Sequence, residues 1–301
     1  MYNNYQNTSN VEKIDMSKVF LTDNKYSRKV VIVFLAMVIL FSVVCETLYC
    51  LGGSEWLVAL LMWIPAISAI IASFISIKEN GEKYSFKYHR SLIGIRLSHI
   101  KYILMGVIIP FIYIYIPYRI YWTMHPENFG YTGVAFSVVL KDLALYTVIS
   151  VFISLLTAVG EEIGWRGFML PALLESIGLI KAFIIVGLFW CLWHFPLLIW
   201  GGYMEGTPSW YGLIAFVLCI FPVSIIAAIL TIKSQSVWPA AFLHAAHNAY
   251  DQAVFGVITY GDDKMYYVSE TGFITIICAW VIAIIMLCIY KPWKEDNGRL
   301  L

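Results

Sequence analysis

The chain has 301 residues, of which 60% are hydrophobic and only 13% charged, with a formal net charge of +1. That composition excludes an ordinary soluble domain and gives a polytopic membrane protein. The near-neutral balance leaves no electrostatic footprint for nucleic acid or an acidic partner.

Residues 1–29 are polar and rich in Asn, Lys and Ser, too hydrophilic for the apolar region of a signal peptide, and are expected to form a cytoplasmic tail. Residues 30–142 hold three runs near the ~20 apolar residues that cross a bilayer: Val30–Cys50, Trp56–Ile77 and Tyr102–Trp122. Between the second and third, basic residues alternate with Phe86, Leu92, Ile93, Ile95 and Leu97, which suggests a short interfacial helix within Tyr84–His99.

Residues 143–258 hold four more runs, Leu143–Val159, Ile184–Trp200, Tyr211–Ile232 and Val237–Ile258. Gly167–Ser176, with Pro171, is expected to turn the chain between the first two of these. Residues 259–301 supply a last span, Gly272–Tyr290, and a short tail. The expected fold is all-α and polytopic, with about eight transmembrane helices around a polar intramembrane cavity.

Lys and Arg mark the cytoplasmic side. They crowd the tail before the first span and the loop after the second (Lys78, Lys83, Lys87, Arg90, Arg96, Lys101), and return at Lys291 and Lys294. Leu51–Glu55, Gly201–Ser209 and Gly261–Glu270 are neutral or acidic and are expected outside. Both termini are then cytoplasmic, in a bacterial cell membrane. Trp56, Trp122, Trp200, Trp210 and Trp293 are expected in the interfacial belts, and Glu46 near the outer interface as a structural residue. The cysteines (Cys45, Cys50, Cys191, Cys219, Cys278, Cys288) show no C-x-x-C spacing and imply neither disulfides nor a thiolate metal site.

Against this apolar background the polar residues stand out. Glu161-Glu162-Ile163-Gly164-Trp165-Arg166 ends the fourth run, His194 lies in the fifth, and His244 with Asn248 in the seventh. Ionisable groups at membrane depth are costly and mark function by default. Taken one at a time, each has a plainer reading: an interfacial ion pair, a satisfied helix-end histidine, interhelical hydrogen bonding. Three clusters that all need partners are most simply explained by one site.

Arg166, four residues after Glu162, can pair with it and leave Glu161 free. A carboxylate sheltered from bulk water can take a proton from a water molecule and return it, and an Asn can donate to an oxyanion. Glu161, His194 and His244 can equally be read as a His₂Glu zinc set with an open position, although H-E-x-x-H is absent. The reading without a cofactor is preferred, with zinc as the alternative. Trp190, His247 and Asp251 are expected to line the cavity. The bilayer and a peptide or membrane-protein substrate are the expected partners, with no nucleic acid; the oligomeric state is not legible.

At these positions the chain resembles the CAAX-protease and bacteriocin-processing family of intramembrane endopeptidases. The family pattern of Glu-Glu-x-x-x-Arg, Phe-x-x-x-His and His-x-x-x-Asn corresponds here to Glu161–Arg166, Trp190–His194 and His244–Asn248. The departure is Trp190 where the family often has Phe, which bears on pocket shape. The resemblance implies an eight-span bundle with a conical cavity. It implies Glu161 as the water-activating base, His194 and His244 beside that water, Asn248 serving the oxyanion, and Glu162 and Arg166 as supports.

Prokaryotic members are associated with peptide maturation and bacteriocin self-immunity. A non-catalytic immunity or scaffold protein is the competing reading, and a transporter a weaker one, since no inverted repeat is evident. One geometric demand follows from a shared site. At about 1.5 Å per residue, Glu161 falls near the cytoplasmic face and His194 roughly 15–20 Å from it, so either the fourth helix continues past Glu161 or the fifth begins later; the first is expected, with the helix running through at least Arg166.

Overall fold

In the computed structural model, which describes residues 26–291, the chain is helical apart from its loops and one isolated bridge between Phe129 and Thr259. The expected tail at 1–29 lies almost wholly outside the described residues, as do Trp293 and Lys294.

Among the described residues, seven helices are long and apolar enough to cross a membrane, which makes the chain an all-α polytopic membrane protein. They are α1 (Arg28–Cys50), α2 (Trp56–Glu79), α4 (Ile100–Met124), α5 (Phe136–Glu162) with its continuation, α7 and α8 together (Leu179–Trp193 and Phe195–Trp200), α9 (Ser209–Ser234) and α12 (Phe273–Tyr290). Short helices α3 (Phe86–Leu92), α6 (Leu170–Ile177) and α11 (Lys264–Tyr267) complete the set with α10 (Trp238–Asn248).

The eighth expected span, Val237–Ile258, is present in a different form. It is α10 followed by a π-helical stretch, Ala249–Phe255. His244, His247, Asn248 and Asp251 dilute its hydropathy, and it packs against α4, α5 and α9, nearly all of it buried in protein. A helix surrounded by helices has no need of an apolar lipid face, so its polar residues are tolerated where a peripheral span would exclude them.

The fourth span also differs from expectation. α5 runs past Glu162 without a break, through π-helical Ile163–Met169 and into α6. The demand that it reach Arg166 is met, whereas the turn expected over Gly167–Ser176 is helix. Pro171 lies directly after the π-helical stretch, inside this continuous helix, and the chain reverses at Gly178, whose φ of +79° suits glycine.

The Glu-Glu pair is carried into the bundle by a close approach of helices. A Cβ on Gly160 would lie 2.6 Å from the Met62 carbonyl oxygen, and one on Gly164 would lie 2.8 Å from the Pro65 carbonyl carbon. Gly160 and Gly164 are thus a small-x-x-x-small pair that lets α5 and its continuation lie against the α2 backbone. Phe34 of α1 packs on Trp165 and Phe168 behind this contact.

The interfacial helix expected within Tyr84–His99 shortens to the seven residues of α3, and His89 anchors it with Nε2 2.6 Å from Ser73 Oγ of α2. Trp56, Trp200 and Trp210 are exposed, as belts require. Trp122 is instead buried and donates to Thr259 Oγ1 at 3.0 Å.

Candidate active site

One cavity of about 110 Å³ is lined by Glu161, His194, His244 and Asn248, together with Trp190, His247, Gln252 and Glu270. Four helical segments deliver these groups. Glu161 comes from the end of α5, His194 from the break between α7 and α8, and His244 from the middle of α10, which ends at Asn248. Pro196 at the start of α8 interrupts the helix after His194, and the imidazole closes that break by donating from Nδ1 to the Trp190 carbonyl at 2.8 Å.

The Trp190 indole is the hub. Its Nε1–H donates to Glu161 Oε2 at 2.7 Å, and the Trp165 indole donates to the same oxygen at 3.2 Å. The His194 and His244 rings lie 6.0 and 5.3 Å from the Trp190 ring, centroid to centroid. Glu161, His194 and His244 thus all meet the Trp190 indole on the wall of one cavity. Two indole donors hold one oxygen of Glu161, and among the described residues Oε1 has no protein hydrogen bond.

Glu162 has a different task. Its Oε1 accepts from Arg166 Nη1 at 2.9 Å and from His244 Nδ1 at 3.0 Å, all three side chains being buried. The i, i+4 pairing expected of Glu162 and Arg166 is present. The guanidinium also lies 4.2 Å over the Trp190 ring, a cation–π contact that helps hold a charge away from water. Because a carbonyl and a carboxylate accept at the two Nδ1 atoms, His194 and His244 both keep Nε2 as the free ring nitrogen. Asn248, half-buried on the cavity wall, makes no hydrogen bond to protein among the described residues.

Among the described residues, no three His, Cys, Asp or Glu side chains are placed to hold one metal ion. Glu161 Oε2 is occupied by two indole N–H groups, so Oε1 is the oxygen that remains to meet a water molecule or a metal ion.

Of the three expected cavity-lining residues, Trp190 and His247 line it and Asp251 does not. Asp251 is turned away to accept from Tyr118 at 3.0 Å and Ser269 at 2.7 Å. The π turn accounts for this, since its wider spacing brings Gln252 rather than Asp251 onto the face of His244 and Asn248. His247 is held at both nitrogens, by the Tyr113 hydroxyl at 2.8 Å and by Glu270 Oε1 at 2.8 Å.

Glu270 was placed by its charge in an outer loop, yet it is buried on the cavity wall and also accepts from Tyr203 at 2.7 Å. The signal that could have found it was the need of a second intramembrane histidine, His247, for an acceptor. Glu46, expected near the outer interface as a structural residue, is buried in protein and does not line the cavity, and among the described residues its Oε1 has no hydrogen-bond partner.

Residues 143–250 match the family described as Type II CAAX prenyl endopeptidase Rce1-like. The chain is also 35% identical over 136 residues to CAAX prenyl protease 2 of Methanococcus maripaludis, a match covering 44% of this chain and 48% of that protein, so it spans about half the length of that relative. The matched segment holds Glu161, His194, His244 and Asn248, the groups that the geometry gathers around one cavity. The segment of this chain that builds the site is thus similar to the Rce1-like CAAX endopeptidases.

Proposed function

We propose that the protein is an intramembrane endopeptidase in which Glu161 activates water to hydrolyse a peptide bond. The observation that carries this reading is the convergence of Glu161, His194, His244 and Asn248 on one cavity, with one carboxylate oxygen fixed by two indoles.

A water between Glu161 Oε1 and a histidine Nε2 gives its proton to Glu161 as its oxygen attacks the carbonyl carbon. The carbonyl oxygen becomes an oxyanion, and Asn248 is the neutral donor available to it. Collapse breaks the C–N bond, the amine leaves with the proton held by Glu161, and the new carboxyl end departs. The buried Glu162–Arg166 pair fixes the His244 ring, so Glu162 and Arg166 act as positioning residues. No step requires a cofactor.

The substrate class is a peptide or membrane protein. The name of the archaeal relative makes a farnesylated peptide ending in a CAAX sequence the first probe, and the same peptide without the lipid the second. Peptide maturation and bacteriocin self-immunity are the roles such cleavage would serve in a prokaryote.

The test is cleavage of these peptides by purified protein, with and without a strong chelator, alongside metal analysis. Cleavage unaffected by the chelator, with well under one metal per chain, is expected. Activity lost on chelation and restored by stoichiometric zinc would replace the glutamate mechanism with a metal one. No cleavage of either peptide by folded protein would favour the scaffold reading.

A further inference from the structure

A second and larger hollow, about 700 Å³, lies between α4 and α5 and shares no lining residue with the catalytic cavity. Its floor is aromatic. Phe111 and Tyr115 stack with centroids 5.0 Å apart and planes 7° from parallel, and Phe255 and Tyr250 continue that surface at 6.0 Å and 17°. Its opposite wall is α5, where Ala144 and Thr147 are small enough to leave room. Neighbouring α5 residues Leu145, Val148, Phe152 and Ile153 are exposed apolar side chains, the face a spanning helix gives to lipid tails.

The one cation lining this hollow is Arg119. It is exposed, five residues before the end of α4, and among the described residues it has no salt-bridge partner. Asp142 of α5 accepts from Tyr131, which lines the hollow, at 3.4 Å. Five residues correspond to about 7.5 Å of helix, within reach of the headgroup layer for an arginine that snorkels. A guanidinium that reaches the headgroup layer meets lipid phosphate there, and one cation beside an apolar groove suits the single charge of an anionic phospholipid.

We propose that this groove binds one anionic glycerophospholipid, with its phosphate at Arg119 and an acyl chain along the Phe111–Tyr115–Phe255 floor. A chain of that kind supplies both halves of the complementarity at once. The volume is within the range of about 300–1,000 Å³ typical of small-molecule sites. The bound lipid would cover the back of the same π-helical stretch whose other face carries Gln252 to the catalytic cavity.

The test uses purified full-length protein in detergent micelles and counts bound lipid by native mass spectrometry. Phosphatidylglycerol, phosphatidylcholine and glycerol phosphate are titrated in turn. Retention of one phosphatidylglycerol per chain is expected, in preference to phosphatidylcholine. Arg119→Gln should raise the concentration for half-occupancy about tenfold, the loss of one charge-assisted contact, and Thr147→Trp, which fills the groove, should abolish binding.

Thr147→Ser is the conservative control and should behave as the native protein. Unchanged binding in both Arg119→Gln and Thr147→Trp would overturn the proposal. A response to Thr147→Trp without one to Arg119→Gln would also overturn it, in favour of an uncharged lipid. Glycerol phosphate binding as tightly as the lipid would show a free-anion site instead. If Thr147→Trp fails to fold, Ala144→Leu takes its place as the groove-filling variant.

Discussion

The buried Glu162–Arg166 pair offers a quantitative test of the site's architecture. Glu162→Gln keeps the shape of the side chain and its oxygen acceptor for His244 Nδ1, but leaves the buried Arg166 guanidinium with no carboxylate in salt-bridge contact, only the charge of Glu161 further off. Breaking a buried pair by removing one partner costs about 3–5 kcal/mol. The amide oxygen still accepts one neutral hydrogen bond, worth about 1 kcal/mol, and the Trp190 ring still covers the cation, so a loss of about 2–4 kcal/mol is expected.

Arg166 Nε and Nη2 and Glu162 Oε2 already lack protein partners, so the charge has little else to fall back on. The double variant Glu162→Gln with Arg166→Met removes the stranded charge and should recover most of the loss. Equilibrium unfolding in mixed micelles, followed as a double-mutant cycle, should give a coupling energy of about 2 kcal/mol. A single variant within about 0.5 kcal/mol of native, or two losses that simply add, would refute the reasoning.

Three further outcomes follow from the same geometry. Trp190→Phe deletes the 2.7 Å donor to Glu161 and leaves only Trp165. The loss of about 1.5 kcal/mol or more should lower kcat/KM about tenfold, mainly through kcat, and unchanged kinetics would mean the indole does not position the base. Gly164→Ala places a methyl against the Pro65 backbone and should cost about 1–3 kcal/mol by overpacking; a variant as stable as native in a melting experiment would argue against the tight α2–α5 contact. Glu270→Gln should destabilise the protein through His247 and Tyr203, and it should spare kcat if Glu270 supports the cavity without entering the chemistry.

Much of this arrangement was readable from the chain because ionisable residues in apolar runs have so few explanations. Glu161, His194, His244 and Asn248 could be picked out by position alone, and the requirement that they meet correctly extended the helix through Arg166. Gly167–Ser176 was misread through Pro171, because a proline inside an apolar run reads as a break, whereas the helix continues past it to Gly178. Asp251 was misplaced because a 3.6-residue period does not survive a π turn, and nothing local in Ala249–Phe255 announces one.

Glu270 was misplaced for another reason. Loop charge reports which side of a membrane a segment faces, and a single carboxylate drawn inward by a histidine 23 positions away leaves that count unchanged. The double role of Trp190, as hydrogen-bond donor to Glu161 and cover for Arg166, depends on α7 meeting α5 and its π-helical continuation and has no trace in spacing.

The most direct measurement compares native protein with Glu161→Gln on the farnesylated peptide under single-turnover conditions. The amide preserves the size of the side chain and can still meet the two indoles, but it cannot accept a proton from water. Folded, stable Glu161→Gln protein that binds the peptide and cleaves it at least about 10³-fold more slowly than native is the predicted result. Cleavage by the variant within a few-fold of the native rate would contradict the assignment of Glu161 as the base.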